Sequence, residues 1–288
     1  MPRPSIRLSS LVAALALTAA LPTVHAQQGV NLTAGPVDYT SWQLFGSAQA
    51  TNSTPGNGYT YSVLTLTQPG SGDQAGAAFA PTALLLDFNQ AFRFDFNWYI
   101  TAGPAPNDLR GDGLTFTLST VPAVGGGGSD LGHAGQHGSS VAMAIDTFHF
   151  DGEPASPSLQ LLAGGSNTPL AVTETGLGDS IRDSNGQWFG SLVYTPSGHD
   201  DNAGTLVAGI EHVELGRFSV QTGVDFNALG LADAPVFYGF TASNGLATDG
   251  HATSWGTAVP VPEPQTWALM LGGLLALGWL ARRRGNIR

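Results

Sequence analysis

Cysteine and lysine are both missing from the 288 residues. Without cysteine the chain has no disulfide framework and no thiolate, so neither covalent staples nor a thiol nucleophile can enter its chemistry. That absence does not fix a compartment, because a domain of this length buries enough apolar surface to hold without cross-links. All ten basic residues are arginines, and Arg3, Arg7, Arg282, Arg283, Arg284 and Arg288 sit in the terminal segments. Between Gln27 and Ala258, Arg93, Arg110, Arg182 and Arg217 stand against twenty acidic residues. Such a field repels phosphate-rich partners, which argues against nucleic acid and anionic lipid and leaves neutral glycans, cations and basic surfaces. The middle of the chain also lacks a helical apolar stripe in any window of about 11 residues. Glu211, His212 and Glu214 lie together without making the H-E-x-x-H pattern of zinc hydrolases.

What the chain has instead is alternation. In AFRFDFNWYI, Phe92, Phe94, Phe96, Trp98 and Ile100 share one face, while Arg93, Asp95 and Asn97 share the other. Five large side chains on one side of one strand need a second sheet to cover them, and the polar side is wet. The reading is therefore all-β: a two-sheet antiparallel sandwich rather than a parallel α/β sheet. TYSVLTLT, SSVAMAIDTFHF, QWFGSLVYTP, GTLVAGI, RFSVQT and PVFYGFTAS continue the pattern, with turns at PGNG, QPGSG and SGHDDNAG. In VAMAIDTF, Val141, Met143, Ile145 and Thr147 alternate with Ala142, Ala144, Asp146 and Phe148, which places Met143 and Ile145 with the phenylalanines in the core. Asp146 at the end of a buried strand needs a cation or several donors.

The two ends read differently from the middle. Residues 1–26 form a secretory signal peptide, with Arg3 and Arg7, an apolar stretch from Leu11 to Leu21, and Val24-His25-Ala26 before the cleavage point. Residues 259–288 hold Pro262-Glu263-Pro264, an apolar run from Trp267 to Ala281, and then three arginines. That run would rise about 22 Å as a short transmembrane helix, less than the roughly 30 Å hydrocarbon core, with arginines holding the cytoplasmic end. The arrangement resembles the PEP-CTERM sorting signal of Gram-negative, exopolysaccharide-producing bacteria. It implies export across the inner membrane to the cell surface or extracellular matrix. Signal peptidase and exosortase are then expected as processing partners, and the inner membrane is touched transiently through the C-terminal segment. The domain between them spans 27–258.

The central domain resembles a legume-type (L-type) lectin. The residues that carry this are Gly111-Asp112-Gly113-Leu114, a glycine-rich loop with Gly126-Gly127 and Leu131-Gly132, and the strand Val141 to Phe150. WQLFGSA, LTLTQPGSGDQAGAAF, FYGFTASNG and HATSWG follow in the family's order. The resemblance implies a sugar site at Asp112, with a cis peptide at Gly111-Asp112, a loop amide at Gly127, and Asn244 in the closing loop. Phe150 stands where the family has an asparagine, so a ring for stacking on a pyranose replaces a polar contact. For the family's calcium ion the resemblance leaves Asp146, the Phe148 carbonyl and, through a shifted loop, Asp151 or Glu153. The other ligand positions fall on Ala144, Ala155 and Ser158 or Leu159, so a single calcium and no metal at all both stay open.

Three function classes follow. The first is a secreted or surface protein that binds a neutral glycan or exopolysaccharide. The second is a non-catalytic structural matrix protein that keeps the sandwich while its sugar site has decayed. The third, a glycoside hydrolase, needs two carboxylates flanking one bond, and Asp146 is the one acidic residue in the strand where they would be sought. The chain is accordingly not read as an enzyme.

Overall fold

A computed structural model describes residues 28–33, 37–53, 61–104, 109–182 and 187–254. The signal segment 1–26 and the sorting segment 259–288 lie outside the described residues. The strands are β1 Gln28–Asn31, β2 Gln43–Gly46, β3 Gln49–Ser53, β4 Tyr61–Thr67, β5 Gln74–Phe79, β6 Leu84–Leu85, β7 Phe92–Thr101 and β8 Gly113–Ser119. They continue as β9 Ser140–Asp146, β10 Ser158–Ala163, β11 Ala171–Glu174, β12 Trp188–Pro196, β13 Ala203–His212, β14 Gly216–Asp225, β15 Pro235–Asn244 and β16 Gly250–Ser254.

They form two sheets of eight. The first runs β14-β13-β12-β7-β16-β4-β3, with β1 on β7; the second runs β11-β10-β9-β8-β15-β5-β2, with β6 on β15. Pairing is antiparallel except that β1 runs parallel to β7, with Val30 opposite Phe94. β1 and β16 share one edge of β7, since β16 pairs with its C-terminal end at Tyr99, Ile100 and Thr101.

The alternation of β7 builds the core. Phe92, Phe94, Phe96 and Trp98 are fully buried and Ile100 nearly so. Phe96 stacks on Phe116 of β8 at 4.5 Å between ring centroids and meets Phe240 of β15 edge-on at 5.4 Å, so rings from both sheets interlock. Opposite Phe96 in the register stands Gly190. A Cβ there would lie 2.3 Å from the Phe96 ring, so the ring's position depends on glycine. Val141, Met143 and Ile145 of β9 close the same core, as their period of two requires.

The outer face of the second sheet is covered as well, which the strand pattern alone does not disclose. The glycine-rich segment between β8 and β9 folds back across it, with Leu131 packed on Ala142, Ala144 and Leu162. Thr241 Oγ1 donates to the Leu131 carbonyl at 2.7 Å, and Ser243 Oγ donates to the Gly128 carbonyl at 2.5 Å. The segment also fastens itself, with Gly125 N–H on the Gly132 carbonyl and Gly126 N–H on the Ala134 carbonyl. A Cβ on Gly125 would stand 2.3 Å from the Ala134 oxygen, so this close return needs a residue without one.

Candidate functional site

The ends of β8, β9 and β15 meet under the glycine-rich segment, and Asp112 sits where they meet. It directly precedes β8, and the Gly111-Asp112 peptide is cis. Its N–H donates to the Ser243 carbonyl of β15 at 3.1 Å, and its carbonyl accepts the Thr147 N–H at 2.8 Å. The side chain is only 3% exposed. The Gly245 backbone N–H lies near enough to the carboxylate to favour its charged form, yet Oδ2 has no hydrogen-bond partner. A buried carboxylate oxygen without a donor is costly. Burial raises this carboxyl to about 6, the Gly245 N–H opposes the rise, and the Glu153 and Asp249 charges add to it.

Gly245 packs closely against this oxygen. A Cβ built on Gly245 would stand 3.3 Å from Asp112 Oδ2 and 3.7 Å from Gly128 Cα. Gly245 therefore separates the Asp112 loop from the glycine-rich loop, and the narrow seam between them is the candidate cleft. Gly127 is the N-cap of the short 3-10 turn Gly128–Asp130 on the far wall. Leu246 stands 80% exposed at the rim. Asp112 and the Gly127 loop are thus brought together.

Asn244 is not part of that cleft. It is fully buried. Its Nδ2 donates to the carbonyls of Ser71 at 2.7 Å and Asp249 at 3.0 Å, while its Oδ1 accepts the Gln74 N–H at 3.0 Å. This corrects the sequence expectation that it faces the ligand. The alternation that puts Tyr238, Phe240 and Ala242 inward carries Asn244 inward too, where it ties together the loops at the end of β15. Gly245, one residue on, is what the cleft uses.

Phe150 is 52% exposed and meets Phe148 at 5.2 Å between ring centroids. Phe148 in turn lies against Gly111, where an added Cβ would stand 3.5 Å from its own. The pair therefore flanks the Asp112 loop.

The donors expected for calcium do not fit the ion. Asp146 Oδ1 accepts the Phe148 N–H at 3.1 Å, and Oδ2 accepts Gln160 Nε2 at 2.8 Å. Gln160 Nε2 is also 2.9 Å from Ser158 Oγ, so protein donors occupy the carboxylate. Glu153 Oε2 accepts the Phe150 N–H at 2.8 Å, and Asp151 is exposed in the same turn. Calcium asks for six to eight oxygens. With Asp146 and Glu153 engaged by protein donors, the Phe148 carbonyl and Asp151 fall short of that, and among the described residues no group of three acidic or histidine side chains could hold a metal. Burial, and then the Glu153 charge, raise the Asp146 carboxyl to about 7.

Sequence reasoning missed a second carboxylate behind the Asp112 loop. Asp249, just before β16, is fully buried. Its Oδ1 accepts the Gly103 N–H at 3.0 Å, and its Oδ2 accepts the Gly111 N–H at 3.1 Å. Arg182 Nη1 pairs with Oδ1 at 3.2 Å, from a side chain only 5% exposed. Burial raises the Asp249 carboxyl, and the two amides and Arg182 oppose that shift.

The chain is similar to known proteins in its fold and in its C-terminal segment. Residues 260–284 match the PEP-CTERM protein-sorting motif. A search of curated proteins found no match. Among solved structures, basic winged bean lectin with Tn-antigen is 21% identical, covers 78% of this chain and 94% of that one, and has a TM-score of 0.59. Lectin I-B4 from Griffonia simplicifolia, in a metal-free form, is 19% identical over 75% of this chain and 92% of that one, with a TM-score of 0.58. The Lotus tetragonolobus seed lectin is 16% identical over 78% and 97%, with a TM-score of 0.57. The fold is the legume-lectin sandwich, and the chain ends in a PEP-CTERM motif.

Proposed function

We propose that this chain is an exported, non-catalytic carbohydrate-binding protein whose site is the cleft between Asp112, the Gly127–Gly128 turn and Gly245. The observation that carries this reading is Asp112 Oδ2, a buried carboxylate oxygen with no protein donor, next to Gly245, where a Cβ would stand 3.3 Å away. A sugar hydroxyl supplies the missing donor, and the turn's backbone can meet a neighbouring one. The exposed Phe150 ring, braced by Phe148, offers a face for the apolar side of a pyranose. The ligand class is a neutral glycan such as the cell's own exopolysaccharide, consistent with an acidic, lysine-free surface. The PEP-CTERM motif supports delivery to the cell surface or matrix of a Gram-negative bacterium, with exosortase acting on the tail. Hydrolysis would need a second carboxylate in the cleft, and the oxygens of Asp146 are taken by Phe148 and Gln160.

Two variants test this. Asp112→Asn keeps the shape and removes the charge, and Gly245→Ala puts a methyl where the hydroxyl would sit. On a glycan array and by calorimetric titration, both are expected to lose the binding seen with the parent protein, while Gly245→Ala keeps its melting temperature. Such a site is weak, because few hydrogen bonds offset the ordering of the ligand. Undiminished binding in both variants, or no glycan bound by the parent, would favour the structural matrix protein.

A further inference from the structure

We propose that a chain of arginine–carboxylate contacts, Asp249–Arg182–Asp179–Arg110, holds the Asp112 loop in its binding shape in place of a metal ion, so that the cleft is independent of divalent cations. The proposal rests on the sugar-site reading only for its binding readout.

The contacts reach Asp112 from both sides. On one side Asp249 accepts the Gly111 N–H at 3.1 Å, in the residue that precedes Asp112, and the Gly103 N–H at 3.0 Å. Both amides come close because their residues lack side chains: a Cβ on Gly103 would stand 2.1 Å from Thr248 Oγ1, and one on Gly111 would stand 2.5 Å from Ala247 Cβ. Arg182 then bridges outward, with Nη1 at 3.2 Å from Asp249 and Nη2 at 3.2 Å from Asp179 Oδ1. The same Asp179 oxygen takes Arg110 Nη1 at 2.7 Å. On the other side Arg110 Nε donates to the Thr147 carbonyl at 3.2 Å. Thr147 returns to Asp112, donating its N–H at 2.8 Å and its Oγ1–H at 3.2 Å to the Asp112 carbonyl.

The chemistry of a guanidinium suits this role. A guanidinium is charged at every relevant pH and presents several donors in a fixed plane, so one arginine can join two carboxylates. A divalent cation would do the same through oxygens, but the donor set at Asp146 does not fit one. Two of the four arginines between Gln27 and Ala258 converge here, and the inner pair is buried on both partners, at 5% and 0% side-chain exposure. Buried pairs are sensitive to loss of one member, because the other is left uncompensated.

The test uses the full chain. Melting temperature and glycan titration are measured in excess EDTA and in excess calcium, and hydrogen exchange is followed at the Gly103 and Gly111 amides. Equal melting and equal binding in the two buffers are expected. Arg182→Met is expected to speed exchange at both glycines and to weaken binding by roughly tenfold. Arg182→Lys should restore part of each, since lysine keeps the charge but is shorter and lacks the rigid planar fork that spans both carboxylates. If Arg182→Met does not fold, Asp179→Asn gives the milder form of the same test, because Asp179 is 73% exposed and its loss leaves the Arg182–Asp249 pair in place. Arg217→Met, which removes an exposed pair with Glu211, is expected to change neither readout. A calcium-dependent rise in melting temperature, loss of binding in EDTA, or unchanged glycine exchange in both the Arg182 and Asp179 variants would overturn the proposal. If the parent chain binds no glycan, the sugar reading fails by itself, and the calcium response and amide exchange still decide the clamp.

Discussion

Truncating Phe96 to alanine is expected to lower the unfolding free energy by about 3 to 5 kcal/mol, read as a shift of the urea midpoint at unchanged slope. Phe96 is fully buried, stacked on Phe116 and edge-on to Phe240, so its ring joins the two sheets. The void left behind is hard to refill, because the residue facing it is Gly190, which has no side chain to move in. Phe189, the next residue along β12, points to the other face and is 46% exposed. Phe189→Ala is expected to cost no more than about 0.5 kcal/mol, so the comparison separates burial from ring chemistry. A small effect at Phe96 would mean that the sheets do not pack through this ring.

Asp146→Asn should stabilise the domain at pH 8, by about 2 to 4 kcal/mol, and leave it nearly unchanged near pH 4. Burial holds the Asp146 carboxyl at about 7 in the folded chain, against an ordinary aspartate value of 3.8. Between those values the folded chain holds a proton that the unfolded chain has released. The contribution is therefore full at low pH and is lost as pH rises through about 7. Asparagine cannot ionise, so it removes that loss. Its amide suits the same neighbours: the oxygen accepts the Phe148 N–H, and Gln160 can turn its own amide to accept from the new nitrogen. The parent's stability curve is not the right readout. Burial lowers His133 to about 4 and His251 to about 3, and such histidines favour folding less as pH falls below their usual range. They oppose the aspartates over part of the same window. Chemical denaturation of the parent and variant at both pH values isolates Asp146. A variant less stable than the parent at pH 8 would indicate that the charge is compensated, as a bound cation would do.

Much of the sandwich was legible because side-chain period and burial coincide in β7 and β9. Phe92 to Ile100 and Val141 to Ile145 have one face each to satisfy, and a second sheet is the simplest way to do so. The covering of the outer face was not legible. Thr115, Thr117, Thr241 and Ser243 look like solvent-facing residues, yet the glycine-rich segment buries them and takes hydrogen bonds from Thr241 and Ser243. The parallel β1 was also unreadable, since four residues carry no signal of pairing direction.

At the site, the expectation for Asp112 and its loop came from the resemblance to the lectin pattern at Gly111-Asp112-Gly113. Asn244 was misplaced because its chemistry was weighed and its face was not; the run Phe240, Ala242, Asn244 already assigns it inward. Arg182 and Asp249 are 67 residues apart, and nothing local links them. Their scarcity was the available signal: in a domain with four arginines, a buried one requires a buried acid.

The most direct measurement is a crystal structure of the chain with the best array-selected saccharide, grown in EDTA. A sugar hydroxyl is expected at hydrogen-bond distance from Asp112 Oδ2, beside Gly245 and the Gly128 turn, with the ring over Phe150. A saccharide lodged instead in the groove of about 460 Å³ on the outer face of the first sheet, among Phe189, Ser191 and Arg217, with no density at Asp112, would contradict the assignment.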